Sequence, residues 1–163
     1  MNDESIILSL QEDLLSRIRS GEGCGPFLAA VYDRTGACLA RAANSVVRTK
    51  CSHNHAEMNV IRLVEEQLGT WNLAAYDLVL YTTSEPCLMC TGGILWSGIR
   101  KVVFGVPTPS VEAITGFDEG YKVGWREAFE KRGISVVGPL AQECGEDVLR
   151  EYVRLGKTVY SPR

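Results

Sequence analysis

In the opening stretch "SIILSLQEDLLSRIRS" the apolar residues Ile6, Leu10, Leu14 and Ile18 recur at four-residue spacing, with charged residues between them. That period predicts an amphipathic first helix. "GEGCGPF" then reads as a glycine-rich loop. "LAAVYD" and "ACLARAAN" read as the two arms of a hairpin turning around "RTG". A helical pattern runs from about Asn54 to Leu68 and stops at Gly69. "DLVLYTT" and "KVVFGV" are short continuous apolar runs, the mark of strands buried on both faces. Between them, Pro86 opens a helix to about Ser97 that is apolar on nearly all sides. "WREAFEKRG" predicts a helix, "ISVVG" a last strand, and "GEDVLREYVRLG" a final amphipathic helix. Strands alternating with helices predict an α/β layered domain with helices on both faces of the sheet. "ITGFDEGYKVGW", from Ile114 to Trp125, has no clear period and sets two acids, Asp118 and Glu119, between glycines.

Composition narrows this. At 163 residues and 45% hydrophobic content, the chain suits one domain over 1–163 with a sizeable core. No apolar run approaches the roughly 20 residues of a membrane helix. The N-terminus carries acids and no basic segment before its apolar positions, which argues against a secretory signal and for a cytoplasmic protein. The net charge is −3, without a Lys/Arg-rich block. Proteins that grip a nucleic-acid backbone usually show a basic footprint, so this balance argues against nucleic acid.

Six cysteines stand at positions 24, 38, 51, 87, 90 and 144. In a cytosolic chain, close cysteine pairs more often bind metal or act in catalysis than form disulfides. Cys87 and Cys90 lie three apart at a helix start, so both thiols can face one point. The helix N-terminus favours their ionised form. Upstream, "HNHAEMN" supplies His55 and Glu57. One imidazole and two thiolates are ligands that Zn²⁺ prefers, and they leave a fourth position for water, whose pKa zinc lowers to about 7. Glu57 beside such a water can take and pass on its proton. Positions 55 and 57 do not share a face within a regular helix, so the helix start must bring them together. The structural alternative is a closed zinc site completed by Cys24, Cys51 or Cys144. His53 is a rival for the imidazole position.

The H-x-E…P-C-x-x-C set is the zinc-deaminase signature. With it, "GPF", "HAE", "TSEPCLMC", "WSGIRKVVFG" and "GFDEG" make the chain resemble the cytidine-deaminase superfamily, and within it the bacterial guanine deaminases. The resemblance runs from "GPF" to the final helix. It implies a three-layer fold around a five-stranded mixed sheet, a homodimer, and zinc held by His55, Cys87 and Cys90 with Glu57 as proton shuttle. It further implies Asn44 hydrogen-bonding the base, Ala56 beside it, Phe27 on the pocket wall, Trp96 near the site, and Glu119 reading the purine edge and assisting proton transfer. The tail "GKTVYSPR", about 156–163, resembles one that closes an active site, in some relatives across the dimer, with Tyr160 as its contact. The implied reaction is zinc-dependent hydrolytic deamination of guanine. Ammeline or another aminotriazine, guanosine, cytosine and tRNA adenosine are rival substrates. A zinc-stabilised binding protein without catalysis is the rival from a different class.

Overall fold

The computed structural model describes residues 2–161. Five strands form one mixed sheet in the order β2-β1-β3-β4-β5. β1 (Leu28–Tyr32) pairs antiparallel with β2 (Cys38–Ala43) and with β3 (Val79–Ser84). β3, β4 (Lys101–Val106) and β5 (Ser135–Val137) run parallel. The hairpin turn is built by Asp33, whose carboxylate accepts from the backbone N–H of Thr35 at 2.8 Å and of Ala37 at 3.0 Å. Gly36 takes a left-handed φ of 85° there, which glycine adopts without steric cost.

The sheet is apolar on both faces because helices cover both. Register sets Ala30, Tyr81 and Val103 side by side, and sets Val31, Leu80 and Val102 side by side one residue along. The first row packs with Ile6, Leu10 and Leu14 of α1 (Asp3–Ser20), Val111 of α5 (Thr108–Thr115) and Val148 of α7 (Gln142–Arg154). The second row packs with Val60 and Val64 of α3 (Ala56–Leu68), Ile94 of α4 (Leu88–Ser97) and Phe129 of α6 (Trp125–Lys131). This two-cored layering is the expected three-layer α/β architecture with a five-stranded mixed sheet.

Two helices had no counterpart in the hydrophobic pattern. α2 (Val46–Thr49) is a single turn. α5 is eight residues long with a proline in its first turn, and only Val111 and Thr115 of it are buried. One buried pair per two turns is too sparse to register as a period. α3 and α4 begin two residues later than the pattern suggested, at Ala56 and Leu88, because His55 and Cys87 hold extended cap conformations. No helix of the described residues is long and apolar enough to cross a membrane.

Under the sheet, Gln11 of α1 is buried and donates to the Thr83 carbonyl at 2.9 Å. That close approach leaves no room at Gly105, where an added Cβ would stand 2.4 Å from the same carbonyl oxygen. Gly105→Ala is therefore expected to overpack the parallel core by about 1–3 kcal/mol. Thermal unfolding of the variant should show a midpoint several degrees lower, and an unchanged midpoint would mean that β3 and β4 give way there.

Candidate active site and metal centre

Two helix N-termini meet at the C-terminal end of β3. His55 is the cap of α3 and Cys87 the cap of α4, both with extended backbone. Cys87 is fixed by its carbonyl, which accepts from the Thr91 N–H at 2.9 Å and the Thr91 hydroxyl at 2.8 Å. Cys90 lies one turn into α4 and is fully buried. His55 Nδ1 stands 3.4 Å from Cys87 Sγ and 3.6 Å from Cys90 Sγ. Tetrahedral zinc with ordinary Zn–N and Zn–S bond lengths places such donors about 3.6 Å apart. The three donor atoms lie within 4.8 Å of one another. The residues present thus fit zinc in both chemistry and spacing.

The irregular start of α3 brings Glu57 to the same place. His55 precedes the first helical residue, Ala56 opens the helix and is fully buried, and Glu57 turns inward at 6% exposure. Glu57 lies within hydrogen-bonding reach of Cys90. This is the convergence that a regular helix forbids and a helix start permits.

Electrostatics mark the site as well. Hydrogen bonding with Cys90 first, and then His55, pulls the Cys87 thiol down to about 4 against its burial. Cys90, hydrogen-bonded to that thiolate and buried, is pushed well above its ordinary value. Burial opposes the charged imidazole of His55, but Cys87 and the nearby acids outweigh it and raise the pKa. Burial and the Cys87 charge raise Glu57. Burial, then Cys87 and Glu57, raise Glu119 to about 8. A low-dielectric site with three acidic groups crowded together is short of positive charge, which a divalent cation supplies.

Beside the cluster is a cavity of about 380 Å³ lined by Phe27, His55, Cys87, Phe117, Glu119 and Tyr160, among others. Phe117 meets Phe27 edge-on at 5.4 Å and Tyr160 at 4.6 Å, so three aromatic rings wall one side. Asn44 is fully buried at the end of β2. Its backbone N–H donates to the Phe27 carbonyl at 2.9 Å and its Oδ1 accepts from Val46 N–H at 3.2 Å. Its Nδ2 and the Tyr160 hydroxyl are buried without a hydrogen-bond partner. The Tyr160 hydroxyl and Asn44 Oδ1 sit against Gly25, where an added Cβ would meet them at 2.5 Å and 2.8 Å. The tail therefore lies over its own chain's cavity. It is held by Tyr152 Oη donating to the Thr158 carbonyl at 2.6 Å and by Asp118 N–H donating to Ser161 Oγ at 3.0 Å. Residues 162 and 163 of the expected closing segment, like Met1 of the expected domain, fall outside the described residues.

One expected contact lies apart from the others in the single chain. Trp96 is 81% exposed and lines a separate surface groove with His53, Met58 and Trp71 rather than the cavity. It lies near the end of α4, about two and a half turns beyond Cys87, and so on the opposite face of the helix. His53 is exposed and faces Cys51 Sγ at 3.9 Å, so it does not compete for the metal. Among the described residues, Cys24, Cys51 and Cys144 are not among the clustered donors, so the cluster offers three protein ligands.

Several supporting residues escaped the motif reading. Asn59 Nδ2 donates to the Ala43 carbonyl at 3.0 Å, Ser45 Oγ at 3.1 Å and the Asn54 carbonyl at 3.2 Å, tying α3 to the Asn44 turn. An asparagine in a helix interior is a poor helix former, and that was the available signal. Phe117 had a signal too, as an apolar residue inside an otherwise polar loop.

Residues 5–106 match the family described as the cytidine and deoxycytidylate deaminase zinc-binding region. The chain belongs to this zinc-dependent deaminase family. It is 34% identical over 122 residues to the guanine deaminase of Bacillus subtilis, covering 74% of each chain. It is 38% identical over 120 residues to a tRNA-specific adenosine deaminase of the same organism, covering 72% of this chain and 70% of the relative. Among solved structures, the guanine deaminase from Nitrosomonas europaea superposes with a TM-score of 0.81 at 37% identity, over 89% of this chain and 83% of that one.

Zinc analysis should find about one ion per chain, as a three-ligand site with one open position holds. Cys87→Ser and Cys90→Ser are each expected to lose it, while Cys24→Ser and Cys144→Ser should retain it. Zinc loss in either of the last two would return the closed structural site to consideration.

Proposed function

We propose that the chain hydrolyses guanine to xanthine and ammonia, acting as one domain over 1–163 whose tail closes the cavity. The observation that carries this reading is the gathering of two buried carboxyl groups, Glu57 and Glu119, at the His55/Cys87/Cys90 cluster. Catalytic carboxyls are tuned by burial and neighbouring charge in this way.

His55, Cys87 and Cys90 would hold zinc, which would supply a water acidic enough, with a pKa of about 7, to act as nucleophile at neutral pH. Glu57 takes the proton of the attacking water and passes it to the ring nitrogen beside the carbon that bears the amine. Burial, then the neighbouring Cys87 and Glu57, raise the Glu119 pKa to about 8, which favours a carboxyl able to donate a proton. Its carbonyl oxygen accepts from guanine N1–H, and its hydroxyl donates to the departing nitrogen. Adenine carries no hydrogen at N1 and leaves that oxygen unpaired, a loss of about 1–3 kcal/mol for a buried group. Asn44 Nδ2 offers a donor to a carbonyl or ring-nitrogen acceptor of the base. Phe27 and Phe117 supply apolar faces for the ring.

The tail supports a free base over a polynucleotide. Tyr160 sits across the cavity with its hydroxyl buried, where a flanking nucleotide would need passage. The proposal includes a second copy of the chain as partner. Its support is the groove between Trp71 and Trp96, two large apolar side chains 77% and 81% exposed. It also includes the cytoplasm, since all six cysteines are free thiols, as in a reducing compartment.

Ammonia release should be fast with guanine and slow with guanosine, ammeline and cytosine, and an inert guanine beside a reactive ammeline would overturn the substrate. Glu57→Gln should lose at least about 100-fold in kcat. For Glu119 the sign is set by its raised pKa. The active, protonated form persists below pH 8 and is lost above it, so kcat/KM should fall on the alkaline side of about pH 8. Glu119→Gln should lower kcat by about 100-fold and flatten that limb. A fully active Glu119→Gln would make the acidic loop an ordinary turn.

A further inference from the structure

The loop carrying Glu119 contains a buried lysine that the deamination scheme does not use. Between α5 and α6 the chain runs irregularly through Gly116, Gly120 and Gly124, all with left-handed φ. Tyr121 and Val123 are 88% and 72% exposed, yet the Lys122 side chain between them is only 5% exposed. Its ammonium donates to Glu85 Oε1 at 3.0 Å, to the Pro86 carbonyl at 2.7 Å and to Thr108 Oγ1 at 2.6 Å. All three protons are used. The other carboxylate oxygen, Glu85 Oε2, accepts from Thr108 N–H at 3.2 Å, and Glu85 is itself nearly buried.

These partners are not remote. Glu85 and Pro86 are the two residues that lead from β3 into Cys87, and Thr108 opens α5. Three residues back from Lys122, the Glu119 carbonyl accepts from Leu88 N–H at 3.0 Å, and Glu119 N–H donates to Glu112 Oε1 at 3.2 Å. The acidic loop is therefore fastened at both ends to the segment that carries the two thiols. A desolvated ammonium is tolerated only with such full pairing, and a single surface lysine would serve solubility as well.

We propose that Lys122 is a positioning residue for deamination: by locking the acidic loop onto Glu85, Pro86 and Thr108, it holds the Glu119 carboxyl at the His55/Cys87/Cys90 cluster. The proposal rests on the reading of Glu119 as proton donor to the departing amine. Lys122 touches no substrate and acts through Glu119 alone. A 1 Å displacement of a group that must meet a reacting atom can cost about 100-fold in rate.

The test is a mutant cycle with zinc content, thermal midpoint, kcat and KM for guanine measured on each protein. The perturbing variant is Lys122→Met combined with Glu85→Gln, which leaves no orphaned charge. It is expected to bind zinc and guanine nearly as the parent does, with KM within about threefold, and to lose about 10- to 100-fold in kcat. In a Glu119→Gln background the same pair of changes should cost almost nothing more, because coupled residues are non-additive. Lys122→Arg should recover part of the rate by restoring the charge and some of the bonds. Losses that multiply with those of Glu119→Gln, unchanged kcat, or activity falling only in step with zinc would each overturn the clamp. Should the double variant fail to fold, Lys122→Arg decides by the same criterion of additivity with Glu119→Gln. Full guanine turnover by Glu119→Gln alone would instead remove the underlying reading of Glu119.

Discussion

The meeting of two helix N-termini at the end of β3 is the constraint on which this molecule depends. It places one imidazole nitrogen 3.4 and 3.6 Å from two sulfurs and turns two acids toward the same point. Neither helix reaches that geometry alone. α3 is held by its apolar face against β1 and β2, and α4 by Ile94 and the α3 contact. The parallel pairing of β3 with β4 fixes where Cys87 begins its helix, since Glu85 N–H still donates to the Val106 carbonyl at 2.8 Å. Sheet register therefore sets ligand position.

The chemistry of the cluster follows from what burial does to charge. Cys87, Glu57 and Glu119 are acids packed into a space with little water, and each raises the cost of ionising the others. Cys87 escapes because hydrogen bonds favour its thiolate. The carboxyls do not escape and remain ready to carry protons. A site that merely bound zinc for structure would have no use for two further carboxyls at such cost. The charges of Lys122 and then His55 oppose the rise in Glu119.

Much of this was legible in the residues. The four-residue apolar period of α1, the continuous strands Val79–Ser84 and Lys101–Val106, and the capping glycine at Gly69 are local signals that survive folding. The metal cluster was legible because its ligands occupy helix starts, where spacing translates directly into geometry. What stayed hidden depends on contacts distant in sequence. α5 buries too few side chains to show a period. The resemblance put Trp96 near the site, but it stands about two and a half helical turns from Cys87 and so on the opposite face of α4. Lys122 carried no signal, since nothing in "GYKVGW" reveals that Glu85, 37 positions earlier, is its partner. The protonation of Glu119 likewise depends on burial, which a sequence does not display.

Gly25 gives the tail a thermodynamic role. The Tyr160 hydroxyl and Asn44 Nδ2 both lie buried without partners, and such orphaned groups carry a penalty of about 1–3 kcal/mol each. A base that satisfies them removes this penalty only while the tail is seated, because Tyr160 reaches its place through the space left by the missing side chain at Gly25. Occupancy and tail order are then a single linked equilibrium: an occupant that stiffens the tail is, by reciprocity, held more tightly by a stiffer tail. Guanine and xanthine differ at the atom that reacts. Their unequal hold on the same seat would set how long the product stays, so the smallest residue in the site would govern the timing of release.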